Sequence, residues 1–361
     1  MDTKSQRDLY VMRPTSTIPE IIGALTKALS GQGPAIGFGE VESRSVTSEI
    51  CLVIATSGTG GVVKEVGLAA SALRASAQAA NKFIKAEFGQ IWSLLLPLNH
   101  IAGVNILLRS LELGTTPINL NGCDDAQYPV ADFTAIVPTQ LFRALNGDDR
   151  LLQHLQSTKA ILVGGAFLSA ELKAQGEKSG IKIISTYGMT ETSGGCVYNG
   201  KSLEGVEVAI SDNGLVKIRG PVIASTYVNN SELWQQTFLD GWFVSSDNGE
   251  LVDGSLVISG RADDVILSGG ENISLSAIEK TLLTKFPTTQ FAAFAIKDAQ
   301  WGESLQLAIV GNISNLEIES LLEEKLGSAA KPKAIHHLEK IPLMGIGKVD
   351  RVALMNLVAH E

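Results

Sequence analysis

The chain has 361 residues, of which 45% are hydrophobic and 19% charged, and a formal net charge of -9. Such a length exceeds one small core and predicts two domains or three, with the composition of a globular protein. The acidic balance, with no cluster of Lys and Arg, excludes a nucleic-acid surface, because phosphate backbones are held by grouped cations.

The first eight residues lead into no apolar signal core, and no later apolar run approaches the ~20 residues of a membrane span, so a cytoplasmic protein without membrane insertion is expected. Apolar residues at 18, 21, 22, 25 and 29 predict a supporting helix. Residues 50–54 (Ile-Cys-Leu-Val-Ile) read as a buried strand. It feeds a segment of three hydroxyls and three glycines, Thr56-Ser57-Gly58-Thr59-Gly60-Gly61, that ends at Lys64. Free backbone N–H groups, hydroxyls and one cation can hold a polyphosphate; an ordinary Gly-rich turn is the alternative. A Walker loop is excluded, since Lys64 follows Val63 and precedes Glu65 instead of sitting between Gly and Ser/Thr.

An Ala-rich helix is predicted over 71–88. An apolar strand then precedes Asn99-His100, and strand-then-turn patterns recur at 134–137, at 160–163 before Gly164-Gly165, and at 181–185 before Tyr187-Gly188. Strands alternating with helices predict a parallel α/β sheet, whose ligands sit beyond the carboxyl ends of the strands. From about 199 to 260 short strands with Gly, Asn and Asp turns predict a β-rich subdomain. Beyond Asp264 a helix over 276–286, strands at 290–297 and 304–310 and a helix over 315–326 predict a small α+β domain. Cys51, Cys123 and Cys196 are widely spaced and odd in number, which excludes a CxxC metal site and fits reduced, buried thiols.

Taken with the downstream motifs, residues 56–64 resemble the phosphate loop of the adenylate-forming enzymes, with departures at Gly60, Val63 and Glu65, where the family has Thr, Pro and Gly. Tyr187-Gly188-Met189-Thr190-Glu191 resembles the family's Tyr-Gly-x-Thr-Glu. The resemblance implies that Tyr187 and Gly188 lie against adenine, Thr190 meets phosphate and Glu191 holds Mg²⁺. Gly164-Gly165-Ala166 resembles the segment that lies along adenine. Asp247 and Arg261 stand where the family binds ribose, Asp263 where it hinges, and Lys348, in Gly345-Ile346-Gly347-Lys348, where its catalytic lysine lies. The implied division is a nucleotide-binding N-terminal domain over 1–262, a hinge at 263 and a mobile C-terminal domain over 264–361.

Residues 187–200, with Gly194-Gly195-Cys196-Val197-Tyr198 after the magnesium glutamate, resemble more closely the compact o-succinylbenzoate:CoA ligases of menaquinone synthesis. That resemblance implies two steps: ATP and the acid give an acyl-adenylate and diphosphate, and coenzyme A then displaces AMP. It assigns Thr56, Ser57, Gly58, Thr59 and Lys64 to the phosphates, and Thr190, Glu191 and Lys348 to catalysis. His100, Ser193, Gly194, Gly195 and Val197 would shape the acyl pocket. The acid's second carboxylate calls for polar donors; Arg109 and Arg143 are candidates for it but are read first as surface charges. The implied partners are small molecules, with a homodimer left open. A ligase for another acid, and a nucleotide-binding protein without turnover, remain alternatives.

Overall fold

The computed structural model describes residues 5–57, 63–123, 125, 127–268, 271–298, 302–344 and 348–358. Four larger sheets carry the fold. The apolar run over 50–54 begins strand Ile50–Ser57 of the first, flanked by Ala35–Phe38 in parallel and Val63–Ala69 antiparallel. Its first five side chains are all buried, as expected of a strand covered on both faces. Helix Ile18–Leu29 packs nearby; Thr17 and Glu20 form a capping box at its start, and Ile21, Leu25 and Ala28 make its buried stripe.

The second sheet contains the predicted parallel strands. Ile183–Met189, Ala160–Val163, Phe133–Ile136, Trp92–Leu94 and Ile118–Asn119 run parallel, with Gly194–Tyr198 and Lys201–Ser202 added antiparallel beyond the first. Thus the α/β expectation is met. The strand expected over 181–185 instead runs on to Met189, so Tyr187 and Gly188 are strand residues and not a loop. The helix expected to reach 88 stops at Phe83, after which Lys85 takes a positive φ of 56° and turns the chain.

The third sheet is built on Trp242–Val252, an 11-residue strand where only short strands were expected. A bulge between Asn248 and Gly249 carries it past the turn-like composition. Nor does the β-rich stretch close on itself: Thr226–Tyr227 leaves it to pair with Val63–Ala69 in the first sheet, and Lys201–Ser202 joins the second. The fourth sheet holds Glu271–Ser274, Val265–Ser268, Gly302–Val310, Gln290–Asp298 and Ala334–His337, under helices Leu275–Lys285 and Asn315–Leu326. Among the described residues, the apolar clusters after residue 264 share no member with those before it.

Cys51 and Cys196 are buried without a disulfide, as expected, and burial pushes both thiols up to about 12; Cys123 departs from the expectation, being only partly buried with its thiol 3.4 Å from Asp125 Oδ2. No helix among the described residues is long and apolar enough to cross a membrane.

Candidate active site

Two groups of side chains meet at the carboxyl end of strand Ile183–Met189. The first begins at the hairpin of Ile50–Ser57 and Val63–Ala69, where Thr56 stands opposite Lys64 and Ser57 opposite Val63. The Thr56 hydroxyl donates to the Lys64 carbonyl at 3.4 Å. The Lys64 ammonium lies 5.1 Å from the centroid of the Tyr227 ring, within the range of a cation–π contact. The Tyr227 hydroxyl in turn donates to Glu191 Oε1 at 2.8 Å. Burial, then the Glu191 charge, pushes that phenol's pKa up, so it stays a donor. Gly58 and Thr59 lie outside the described residues.

Glu191 belongs to the short 3-10 turn Thr190–Thr192, and Thr190 beside it is buried. One Glu191 oxygen is taken by Tyr227, and no group of three or more His, Cys, Asp or Glu side chains able to hold a metal occurs among the described residues. A single carboxylate suits Mg²⁺ that takes its other ligands from phosphate oxygens and water, and does not suit a resident all-protein metal cage.

The second group begins four residues earlier. The Tyr187 hydroxyl donates to Asp247 Oδ2 at 2.7 Å, and Arg261 Nη1 reaches Asp247 Oδ1 at 3.4 Å. Antiparallel pairing of Trp242–Val252 with Ser255–Arg261 sets Asp247 opposite Arg261, which is why residues 14 apart share one carboxylate. Arg261 also donates from Nε and Nη2 to the two oxygens of Asp263, at 2.8 Å and 2.6 Å. A carboxylate aimed by a phenol and a guanidinium retains lone pairs for a diol. Gly164 and Gly165 follow strand Ala160–Val163, with Gly165 at φ +82°. A Cβ on Gly164 would stand 2.2 Å from the Thr186 hydroxyl. Gly165, Ala166 and Phe167 are exposed, and Lys280 of helix Leu275–Lys285 lies 5.6 Å from the Phe167 ring centroid.

Strand Gly194–Tyr198 returns against Ile183–Met189 so closely that a Cβ on Gly188 would lie 2.1 Å from the Gly194 carbonyl oxygen. Ser193 adopts the left-handed region at φ 52° and is fully buried. Its hydroxyl donates to Val222, while its carbonyl accepts from Ser76 and Asn105. Ser193 therefore holds the turn in place. Val197 is buried and Gly195 is partly exposed. His100 occupies the N-cap position of helix Ile101–Glu112 without a side-chain capping bond and is partly exposed.

Arg109, on that helix, corrects the sequence reading. It is not a surface charge: it is 4% exposed, with its guanidinium 5.1 Å from the centroid of Trp92 and Nη2 donating to the Tyr198 hydroxyl at 3.1 Å. Its Nε and the nearby Asn105 Oδ1 have no hydrogen-bond partner among the described residues. Arg143, by contrast, is paired with Asp148 at the surface. Tyr227 and Asn229 were also missed, and Glu65 was read only as a departure from the loop. No local signal could have found the first two, since the Asn229 amide answers the Glu65 N–H across 164 residues.

A protein-family model described as AMP-binding enzyme matches residues 16–228. The chain belongs to the AMP-binding enzyme family. Among curated relatives, a probable 2-succinylbenzoate–CoA ligase of Mycobacterium tuberculosis (strain CDC 1551 / Oshkosh) is 33% identical, covering 94% of this chain and 96% of the relative. The 2-succinylbenzoate–CoA ligase of Lactococcus lactis subsp. lactis (strain IL1403) is 29% identical over 85% of this chain and 71% of its own. Two solved structures share the fold. The o-succinylbenzoate CoA synthetase of Bacillus subtilis in complex with its acyl-adenylate intermediate superposes with a TM-score of 0.72 at 22% identity, covering 96% of this chain and 82% of that one. An amide bond synthetase from Marinactinospora thermotolerans gives 0.73 at 20% identity, covering 96% and 84%. In this AMP-binding enzyme the backbone of Lys348 pairs with Met344 in a two-stranded hairpin; the side chain of Lys348 lies outside the described residues, as does that of Ser57.

Proposed function

We propose that this AMP-binding enzyme is an o-succinylbenzoate:CoA ligase. The acid carboxylate attacks the α-phosphorus of ATP, the bond to the bridging oxygen breaks, and diphosphate leaves. The coenzyme A thiolate then attacks the acyl carbon and AMP departs with the former carboxylate oxygen. The observation that carries the reading is the meeting of two groups, Lys64–Tyr227–Glu191 and Tyr187–Asp247–Arg261, at one strand end. Tyr187 and Glu191 are four positions apart, so a nucleoside at one and phosphates at the other are joined by the strand itself. The near full-length similarity to a probable 2-succinylbenzoate–CoA ligase supports the choice of acid.

Thr56, Ser57, Gly58, Thr59 and Lys64 would hold the β and γ phosphates, and Thr190 the α phosphate. Glu191 would take Mg²⁺, which neutralises phosphate charge when bound. Tyr187, Gly164, Gly165 and Ala166 would frame adenine, while Asp247 and Arg261 receive the ribose hydroxyls. Residues 1–262 and 264–361 are read as two domains hinged at Asp263, and Lys348 as the cation that stabilises charge in the adenylation transition state.

The acid brings a second carboxylate, which needs a donor inside the pocket. Arg109 would meet that need: its guanidinium is buried, its Nε has no partner among the described residues, and Nη2 donates to Tyr198, the last residue of the strand that carries Gly194 and Gly195.

Diphosphate release on adding o-succinylbenzoate to protein, ATP and Mg²⁺, followed by formation of its CoA thioester, is the expected result. Release with a different aryl acid alone would reassign the substrate, and no acid-dependent release would remove the ligase reading.

A further inference from the structure

Where the resemblance has glycine directly after the phosphate-loop lysine, this chain has Glu65. It is 1% exposed, an unusual place for a carboxylate. No cation pairs with it among the described residues. Its charge is answered by three donors from the loop after strand Ala35–Phe38. The Glu42 N–H reaches Oε1 at 2.5 Å, the Ser43 N–H reaches the same oxygen at 3.2 Å, and the Ser43 hydroxyl donates to Oε2. The backbone of Glu65 is held as fully: its N–H donates to Asn229 Oδ1 at 3.0 Å, and its carbonyl accepts from the Val228 N–H at 2.7 Å. Asn229 Nδ2 also donates to the Val63 carbonyl at 2.8 Å, so one side-chain amide brackets Lys64 from both neighbours.

Successive strand residues face opposite sides. Fixing Glu65 toward the 42–43 loop therefore turns Lys64 the other way, toward Tyr227 and Glu191. We infer that Glu65 is a positioning residue for the phosphate site. Through its clamp on Glu42 and Ser43 it holds the Thr56–Lys64 pair in register and aims the Lys64 ammonium before nucleotide arrives. This rests on the reading of Lys64 as a ligand of the outer phosphates. Glycine there would leave the two amides and the hydroxyl without an acceptor, so the substitution is an added anchor and not a decayed motif.

The test is equilibrium binding of ATP and of AMP to the full-length protein and to Glu65→Gln. The amide offers one acceptor oxygen where two were used, and turns an N–H₂ toward other donors. Loss of a charge-assisted buried hydrogen bond predicts about tenfold weaker ATP binding, with AMP, which lacks the outer phosphates, changed by less than about twofold. Ser43→Ala removes one donor and keeps the carboxylate; a smaller loss of about threefold, again for ATP alone, is expected, and this variant carries the test if Glu65→Gln does not fold. Equal weakening of both nucleotides, or of neither, overturns the positioning role. The readout does not involve the acid. An ATP-selective loss in a protein that releases no diphosphate with o-succinylbenzoate would support the positioning role and sink the proposed reaction alone.

Discussion

Two tyrosine hydroxyls aim the two carboxylates of the site. Tyr227 holds Glu191 and Tyr187 holds Asp247, each through one short hydrogen bond. Tyr227→Phe keeps the ring under Lys64 and frees Glu191 to rotate; kcat is expected to fall about tenfold with ATP KM changed less, which steady-state kinetics would reveal. Tyr187→Phe leaves Asp247 with Arg261 alone, and there the larger change is expected in ATP KM. Arg109 makes a different forecast, because it stands apart from both groups. Arg109→Gln should raise KM for o-succinylbenzoate by about tenfold or more while ATP KM stays put, as expected when one charge-assisted bond to a carboxylate is lost. A shift in ATP KM of the same size would reduce Arg109 to a core residue stacked on Trp92.

The hairpin of Ile183–Met189 and Gly194–Tyr198 is the element on which both groups depend. Its close approach leaves no room at Gly188, where an added methyl would meet the Gly194 carbonyl. Gly188→Ala should therefore cost at least ~2 kcal/mol, visible as a lower thermal midpoint, because backbone cannot move aside as a flexible side chain can. Helix Asp149–Ser157 supplies a pH effect. His154 is 3% exposed with Nε2 2.8 Å from the Ser93 hydroxyl, and burial lowers its pKa below the ordinary 6.5. The unfolded chain then binds the proton more readily than the folded one. The stability contribution of the neutral ring is complete above about pH 6.5 and is lost as pH falls through and below that value toward the folded pKa. Thermal midpoints should drop across that window, and His154→Leu should flatten the drop; an unchanged slope would show that other groups govern it.

At the scale of the whole molecule, the segment after residue 264 has its own apolar clusters and its own ion pairs. Arg351 donates to Glu279 at 3.0 Å and to the Ala293 carbonyl at 2.9 Å, tying the helix that follows Lys348 to the fourth sheet and helix Leu275–Lys285. Arg261 grips Asp263 on the other side of the proposed hinge. If Lys348 serves adenylation alone, Lys348→Ala should abolish acyl-adenylate formation and spare thioester formation from supplied acyl-adenylate, a split read by running each half-reaction separately. Equal loss of both would end that assignment. Sequence alone was enough for the class of fold and the family, and it named the residues now proposed to bind the nucleotide. Buried apolar runs dictate strands, and a phosphate loop or a Tyr-Gly-x-Thr-Glu segment keeps its chemistry within a few consecutive residues. The tertiary structure decided what lies between distant segments. It put Tyr227 between Lys64 and Glu191, buried Glu65 against Glu42 and Ser43, and moved Arg109 from the surface to the interior. A side chain's burial and partners depend on how strands far apart in the chain are ordered in a sheet, and no local pattern of residues records that order.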